Sequence, residues 1–320
     1  MFFLSFFFLI IFVLMGVAYF TLFERKILGY VQFRKGPNSV GFLGLFQPFS
    51  DALKLFSKEY YFLIFGNYFI YFFVPILGLV ISLIFWLLYP LYFNFISFIY
   101  GLLFFLCCSG VGVYIIMISG WSSNSIYSML GSLRSVAQSI SYEVCFFLVV
   151  LCFVIFFSSF SLFIFIYVQL DMWIFFVCFP LFFIFFSCCL AETNRSPFDF
   201  SEGESELVSG FNVEYSSFMF SLFFLSEYSN MMFMSFFVVL MFFGSDVYSI
   251  FFFFKFIFFL FFFVWVRCTF PRYRYDKLMY LSWSCYLPVV LNYLFFFISL
   301  SIYLFFIFFS MFTFFLFKNK

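Results

Sequence analysis

The sequence predicts an all-α, polytopic membrane protein with about eight transmembrane helices and one amphipathic helix lying in the membrane interface. Of the 320 residues, 67% are hydrophobic and only 9% are charged, whereas soluble domains carry about 25% charged residues. Between the sparse charges lie apolar stretches, many as long as the roughly 20 residues that a helix needs to cross the hydrocarbon core. We expect residues 1–320 to form one membrane domain.

Placing one helix in each apolar stretch predicts eight spans. They cover 2–23, 68–90, 99–119, 137–160, 172–190, 216–245, 250–266 and 285–317. The uncharged stretch 60–133 is divided at Tyr89-Pro90 and at the segment ending with Gly101, because residues that disfavour helices interrupt it there. The last uncharged stretch, 278–317, has room for one overlong helix or for two short ones.

The amphipathic helix is predicted in the first loop, over residues 47–58. Phe49, Leu53 and Phe56 recur at helical spacing, opposite one aspartate and two lysines. Such a helix lies in the membrane interface with its apolar face in the lipid. It serves either as a simple anchor or as one wall of an opening through which a lipid-borne molecule enters.

The basic residues predict how the spans are oriented. Twelve of the 15 lysines and arginines fall in the loops after spans 1, 3, 5 and 7, and the positive-inside rule places such loops on the inner side of the membrane. Both termini are then expected on the outer side. The 73 phenylalanines exceed what a bilayer requires; we attribute them to T-rich codons, which indicates an organelle genome.

Several classes of function lack their residues in this sequence. Without His, the chain cannot hold haem through imidazole or use a His acid/base mechanism. None of the nine cysteines has the C-x-x-C spacing of a zinc or iron–sulfur site, and no nucleotide-binding glycine motif is present. Chemistry therefore has to rest on carboxylates, hydroxyls, basic residues and water.

The acidic residues are concentrated in one segment. Seven of the 14 lie within 36 positions together with a single base, Arg195; they are Glu192, Asp199, Glu202, Glu204, Glu206, Glu214 and Glu227. A solvated acidic loop explains Glu202, Glu204 and Glu206 equally simply. It does not explain Glu227, because that residue lies inside span 6, where a carboxylate is costly and usually functional. A chain of buried carboxylates across a bilayer is a route for protons or charge.

Other charged residues extend this candidate route. Glu143 is expected a turn or two into span 4 and raises the same question as Glu227. Glu24 and Arg25, at the inner end of span 1, either pair with each other or extend to the interface. Four arginines are expected on the side of the acidic cluster and can hold its carboxylates in charge-assisted pairs, namely Arg134, Arg195, Arg272 and Arg274. For the last two, a signal for orientation is an equally good explanation.

Several runs of the sequence resemble the subunit 1 family of the proton-pumping NADH:ubiquinone oxidoreductase, respiratory complex I. They are Glu24 to Tyr30 with Arg34 to Asn38, Gly120 to Asn124, Gln138 to Glu143, Ala191 to Asp199 continuing through Glu202 to Tyr215, and Pro271 to Lys277. These runs occur in the family's order over nearly the whole chain, and no charged position of the family pattern is missing.

The resemblance implies a core membrane subunit of an H+-translocating NADH:ubiquinone reductase, with no redox centre of its own. Ubiquinone is the implied substrate, entering beside span 1, the interfacial helix and span 6. The iron–sulfur cluster and FMN would lie only in partner subunits, and the iron–sulfur subunit would face loops 1–2 and 5–6. Membrane lipid is a further partner, nucleic acid is not expected, and the implied location is the mitochondrial inner membrane.

The resemblance also maps the family's quinone chamber and proton relay onto this chain. The implied residues are Glu24, Arg25, Arg134, Glu143, Glu192, Arg195, Asp199, Glu202, Glu204, Glu206, Glu214, Glu227 and Arg274. None of them is expected to be catalytic in the isolated chain.

Three other functions use parts of the same pattern. A proton or cation transporter working by alternating access would also need buried carboxylates, but such proteins often carry an internal repeat with paired broken helices, and none is found here. A membrane subunit of a related hydrogenase complex would use no quinone. A structural anchor would not need Glu143 and Glu227.

Overall fold

The computed structural model describes residues 2–59, 63, 66–90, 98–169, 172–201, 203, 208–244, 247 and 249–318. Over these residues the protein is built from helices and turns, with no β-strand. The all-α prediction is therefore confirmed.

Twelve α-helices follow one another in the described part of the chain. They are α1 (Phe2–Val31), α2 (Gln47–Phe56), α3 (Tyr68–Ile84), α4 (Gly101–Ser123), α5 (Ile126–Phe157), α6 (Leu162–Val168), α7 (Ile174–Val177), α8 (Phe179–Glu192), α9 (Ser217–Val238), α10 (Ile250–Thr269), α11 (Tyr275–Tyr280) and α12 (Leu287–Lys318). A 3-10 turn extends α3 through Leu88. One π-helical turn extends α9 through Phe243, and another joins α11 to α12.

Seven of these helical segments are long and apolar enough to cross a membrane, namely α1, α3, α4, α5, α9, α10 and the continuous segment α11–α12. The shorter apolar helix α8 is the eighth segment. Because α11 runs through its π-helical turn into α12, the last apolar stretch forms one overlong helix and not two short ones.

The fifth predicted span is broken in the structure. One helix was predicted over 172–190, but α7 ends at Val177 and α8 begins at Phe179. Pro180 occupies the first turn of α8, where its missing N–H costs nothing, and a proline cannot continue a helix from the preceding turns. At 1.5 Å per residue α8 is about 21 Å long, shorter than the roughly 30 Å hydrocarbon core.

Charged residues do not end the helices, so several predicted boundaries were too short. Helix α1 continues past Glu24 and Arg25. Helix α5 begins at Ile126 and not near 137, which makes Arg134 helical and places Glu143 near the middle of the helix instead of its first turns. The reason is that a charged residue is compatible with a helix wherever its side chain is paired, as Glu24 is with Arg267, or reaches solvent.

Local backbone chemistry sets the boundary between α4 and α5. Helix α4 stops because Asn124 adopts a left-handed conformation with φ of 51°, as residues that end helices commonly do. Ser125 then starts α5, since its side chain accepts a hydrogen bond from the backbone N–H of Ser128.

Helices α5 and α9 form the centre of the bundle. Helix α5 packs against α4, α8 and α12, and α9 packs against α1, α3 and α10. A cluster of phenylalanine rings joins the two groups: the centroids of Phe105 and Phe237 lie 4.4 Å apart, and those of Phe185 and Phe237 lie 5.8 Å apart. Such pairs contribute about 0.5–1.5 kcal/mol each beyond their buried area.

The predicted interfacial helix forms as α2. Its Phe49 ring packs edge-on against Tyr19 of α1, with centroids 6.1 Å apart, and its Phe56 ring lies 5.5 Å from Phe218 of α9. Leu53 remains 68% exposed, as expected for an apolar residue that faces lipid. Helix α2 therefore bridges the C-terminal half of α1 and the first turn of α9.

The close packing of α4 against α5 at Gly120 predicts a stability defect for Gly120→Ala. An added Cβ would lie 2.3 Å from Ser132 Oγ and 2.8 Å from the Ser128 carbonyl oxygen, and overpacking of this kind costs about 1–3 kcal/mol. We expect a lower thermal unfolding midpoint for the chain in its purified native assembly. Gly112→Ala is the matched control on the same helix, because its added Cβ would meet no atom within 4 Å. Equal midpoints for the two variants would contradict the packing argument.

Candidate functional site

A buried carboxylate, Glu24 of α1, joins three helices. The residue is 3% exposed. Its Oε2 accepts a hydrogen bond of 2.6 Å from the Tyr228 hydroxyl of α9, and its Oε1 forms an ion pair with Arg267 at the end of α10. Glu24 therefore does not pair with Arg25, which instead forms an ion pair with Asp51 of α2.

Arg195 belongs to the segment that follows α8, and its guanidinium lies over the ring of Tyr228. The turn after α8 contains Asn194 with φ of 49°, and the backbone N–H of Arg195 donates to the Leu190 carbonyl. The guanidinium carbon lies 4.7 Å from the centroid of the Tyr228 ring, and Nη2 lies 3.6 Å from Glu227 Oε2. Arg195 is only 6% exposed, and a buried guanidinium of this kind requires such compensation from a ring face and a carboxylate.

These contacts form one continuous polar path through Glu24, Tyr228, Arg195 and Glu227. Tyr228 and Glu227 are neighbours in sequence, and successive side chains of an α-helix point about 100° apart, because a turn holds 3.6 residues. Tyr228 can therefore face α1 and α10 while Glu227 faces the interior between α9 and the end of α8. The path thus passes from one side of α9 to the other.

A cavity with several polar side chains in its otherwise apolar wall lies at the end of this path. It has a volume of about 80 Å³ and is lined by Glu192 and Glu227 together with Ser139, Asn194 and Asn230. One water needs about 10–15 Å³ of such space, so the cavity has room for several. The amide oxygens of Asn194 and Asn230 are buried and have no hydrogen-bond partner within the described part of the chain, which suits them to accept hydrogen bonds from water.

Glycines on two helices leave room for the cavity. Gly78 of α3 and Gly112 of α4 belong to its wall, and a Cβ added at Gly112 would project into open space. Gly110 of α4 faces the next carboxylate, because a Cβ there would lie 3.7 Å from Glu143 Oε1. The Gly110-Val-Gly112 run therefore shapes a polar interior.

Glu143 of α5 is the fourth carboxylate of this interior. Its Oε1 is buried without a hydrogen-bond partner among the residues that the structure describes, and it lies close enough to Glu192 for the two charges to interact. Glu24, Glu227, Glu192 and Glu143 thus extend from α1 through α9 and the end of α8 to α5.

The start of the segment after α8 is held by hydrogen bonds to two other parts of the protein. Gln138 of α5 donates through Nε2 to the carbonyl oxygens of Ala191 (3.0 Å) and Phe198 (2.8 Å). The backbone N–H of Tyr273 donates to the Pro197 carbonyl at 3.0 Å. The backbone around Arg195 is therefore positioned by α5 and by the segment before α11.

The end of the same segment is held by a pair of stacked tyrosines. The rings of Tyr71 and Tyr215 lie 4.3 Å apart and nearly parallel. The Tyr71 hydroxyl donates to the Glu214 carbonyl at 2.8 Å, and the Tyr215 hydroxyl hydrogen-bonds with Ser122 Oγ at 3.2 Å. Burial raises the pKa of Tyr215 above its ordinary value, so that its hydroxyl stays neutral.

The remaining predicted site residues lie outside the path. Asp199 pairs with Arg272, with 3.4 Å between Oδ2 and Nη2. Arg274, which the resemblance implied, is 79% exposed at its side chain and pairs with Asp276. Arg134 and Glu214 are half-buried. Glu202, Glu204 and Glu206 lie outside the described residues.

Sequence reasoning missed Tyr228 of the path, Arg267 that pairs with Glu24, and most of the cavity wall. Arg267 was counted only among the loop charges, and Tyr228 was not considered, although it adjoins Glu227. Asn194 and Ser139 lie in runs that carry the resemblance but were given no role of their own. Asn230 carried no signal, because an isolated polar residue in an apolar helix most often hydrogen-bonds locally. In the described ranges, no three His, Cys, Asp or Glu side chains come together in a way that could hold a metal ion.

Comparison with known proteins gives one consistent result. The family model described as NADH dehydrogenase matches residues 4–316. NADH-ubiquinone oxidoreductase chain 1 of Locusta migratoria is 57% identical over 94% of this chain and 96% of that protein. The protein of the same name from Aedes aegypti is 56% identical over 92% of this chain and 95% of its own length, and that of Trichosurus vulpecula is 45% identical over 91% and 93%. With a matching family model over nearly all of its length and relatives this similar, the chain belongs to the NADH dehydrogenase family.

Proposed function

We propose that this chain is the membrane subunit of respiratory complex I that forms the ubiquinone-binding chamber and relays charge from it to a chain of buried carboxylates. One observation carries the proposal: a continuous polar path from Glu24 through Tyr228 and Arg195 to Glu227 opens into a cavity that also contains Glu192. A purely structural membrane helix bundle gains nothing from such groups, because charges in the hydrocarbon region are costly. The names of the similar proteins add NADH and ubiquinone as the reactants.

The position of α2 supports quinone entry between α1 and α9. The helix contacts α1 through Phe49 and α9 through Phe56. In this proposal it crosses the inner ends of the two spans and forms one edge of the opening between them. Ubiquinone is an apolar molecule with a polar head. An opening framed by an interfacial helix admits the tail from the lipid while the head passes towards the buried charges of Glu24 and Arg195.

In this proposal, the buried charges couple quinone reduction to the movement of protons. Quinone reduction takes up electrons and protons, and in this proposal the electrons come from an iron–sulfur cluster in a partner subunit. FMN also lies only in partner subunits. A change of charge at the quinone head alters the balance at Glu24 and Arg195. Glu227, Glu192, Glu143 and water in the cavity then pass protons onward, because carboxylates that share a low-dielectric space respond strongly to each other's charge.

The segment 191–215 is the proposed docking surface for the iron–sulfur subunit. Hydrogen bonds from Gln138, Tyr71 and Tyr273 hold its two ends, and two of its charged residues, Glu192 and Arg195, lie beside the proposed chamber. The basic loops assign this surface to the matrix side of the mitochondrial inner membrane and both termini to the opposite side.

Glu143→Gln tests the relay with little structural disturbance. Gln keeps the size of the side chain but cannot ionise, and Glu143 Oε1 has no hydrogen-bond partner in the described residues that the change would break. We expect normal assembly but a loss of proton translocation coupled to quinone reduction, measured as protons moved per NADH oxidised in sealed vesicles. Glu59→Gln, which alters an exposed carboxylate, is the matched control and should behave as the parent. Normal proton yield in Glu143→Gln would remove Glu143 from the relay.

Arg195→Lys tests whether the guanidinium geometry matters. A lysine ammonium keeps the positive charge but cannot reproduce the planar group that covers Tyr228 while also facing Glu227. We expect weaker quinone affinity and an altered dependence of quinone reduction on pH in an assembled complex. Arg34→Lys, at an exposed arginine outside the path, controls for the substitution itself. A pH profile for Arg195→Lys that superimposes on those of the parent and the control would show that only the charge is needed.

Tyr228→Phe isolates the hydrogen bond to Glu24 while keeping the ring beneath Arg195. The lost bond goes to a buried carboxylate, and hydrogen bonds to charged groups contribute about 1.5–3 kcal/mol. We expect quinone reduction to fall by about tenfold or more, since about 1.4 kcal/mol corresponds to tenfold in rate. Tyr114→Phe, on the exposed face of α4, is the matched control. Equal rates for the two variants would break the proposed path at Tyr228.

A further inference from the structure

One side of the last membrane span, α11–α12, points away from the bundle. On its inward side Val290 and Phe297 are buried, and the Phe297 ring packs edge-on against Phe156 of α5, with centroids 5.5 Å apart. These contacts fix how the helix is rotated about its axis. The exposed ridge on the opposite side, called here the outer face, consists of Cys285, Pro288, Asn292, Phe295, Ser299 and Ile302.

Asn292 lies near the middle of this span. Two exposed aromatic residues, Trp283 and Tyr303, lie 20 residues apart on the same continuous helix. That separation is about 30 Å, the thickness of the hydrocarbon core, and Trp and Tyr are enriched where a span leaves the hydrocarbon. Asn292 is about 14 Å from the first and about 16 Å from the second along the helix. Its side chain is therefore held near the centre of the bilayer.

The exposed side chain of Asn292 needs a polar partner at this depth. Its amide carries two N–H donors and a carbonyl acceptor, and no hydrogen bond joins it to another of the described residues. The hydroxyl of Ser299 on the same face, by contrast, donates to the Phe296 carbonyl of its own helix. Hydrocarbon has no hydrogen-bonding group, so an amide that faces it is costly. A partner from another molecule would remove that cost.

We propose that the outer face is the contact surface for a transmembrane helix of another subunit, whose serine, threonine, asparagine or glutamine side chain hydrogen-bonds with the Asn292 amide. Helices associate in membranes through small residues that allow close approach and through hydrogen bonds between side chains. The outer face supplies both, since the small residues Cys285 and Ser299 lie two turns on either side of Asn292. A lipid is a poorer occupant, because its ester carbonyls lie in the interfacial region and not at the centre of the bilayer.

The inference rests on the proposed function only in that the chain works within an assembly of several membrane subunits. The seven-residue spacing of the small and polar residues predicts a left-handed crossing of the two helices, at about +20°. Both experiments below measure contacts and subunit composition, so their outcome does not depend on whether the proposed quinone chamber and relay hold.

Cross-linking within the native assembly tests what lies against the outer face. Phe295, which is 65% exposed, is replaced by the photoreactive residue p-benzoylphenylalanine. On irradiation we expect a cross-link to one other membrane subunit, at a peptide from a transmembrane helix that carries a polar residue near its centre. The same replacement at Phe258, exposed on α10, is the control and should not give that cross-link. Adducts with lipid alone, or with a second copy of this chain, would overturn the proposal.

Asn292→Leu tests the hydrogen bond itself. Leucine keeps the size of the side chain and suits lipid better than asparagine does, so a lipid-facing position would gain stability from the change. We expect instead that the cross-linked subunit dissociates from the purified complex in detergent about three- to twentyfold faster, the range for one hydrogen bond between membrane helices. The measurement is the amount of that subunit retained over time, determined by quantitative mass spectrometry.

Two further variants complete this experiment. Asn292→Gln keeps an amide and should retain the subunit better than Asn292→Leu, whereas Phe258→Leu, at an exposed position on α10, should behave as the parent. Retention in Asn292→Leu equal to that in the parent would overturn the proposal. If Asn292→Leu fails to assemble, the cross-link from position 295 decides, because that chain keeps Asn292.

Discussion

The ion pair between Arg195 and Glu227, with the Tyr228 ring against the guanidinium, is the interaction on which the polar interior depends. A buried charge that loses its partner destabilises a protein by about 3–5 kcal/mol. Arg195 belongs to the segment after α8, whereas Glu227 and Tyr228 belong to α9. The pair therefore ties that segment to the centre of the bundle, and through Tyr228 it also reaches Glu24.

Glu143 differs from Glu227 in its surroundings. Whereas Glu24 and Glu227 are each matched by an arginine, Glu143 Oε1 has no hydrogen-bond partner in the described residues and faces Gly110. Its charge therefore interacts with that of neighbouring Glu192. A carboxylate without a fixed counter-charge responds to changes in its surroundings, while one in a tight ion pair resists them. The polar interior thus combines two carboxylates that are paired with arginines, Glu24 and Glu227, with one whose Oε1 has no hydrogen-bond partner in the described residues, Glu143.

The apolar framework of the bundle surrounds the polar interior and keeps it in place. Phenylalanine rings from α4, α5, α8 and α9 fill the centre, and glycines on α3 and α4 keep a small volume open beside them. Close packing resists deformation, so the cavity is held open by a rigid surround.

The sequence by itself determined the all-α membrane fold, the approximate number of spans, the interfacial helix and the placement of Glu143 and Glu227 inside apolar helices. All of these follow from one physical rule that acts along the chain: charges are rare in hydrocarbon, so each exception is visible at its own position. Only the tertiary structure decided that Glu24 meets Arg267 and Tyr228, that Asp199 meets Arg272 and not Arg274, and where the helices end. Those partners are far apart in the chain, and their pairing depends on which helix faces pack together, while helix ends depend on backbone capping and proline. A residue-by-residue cost of charge in lipid contains neither kind of information.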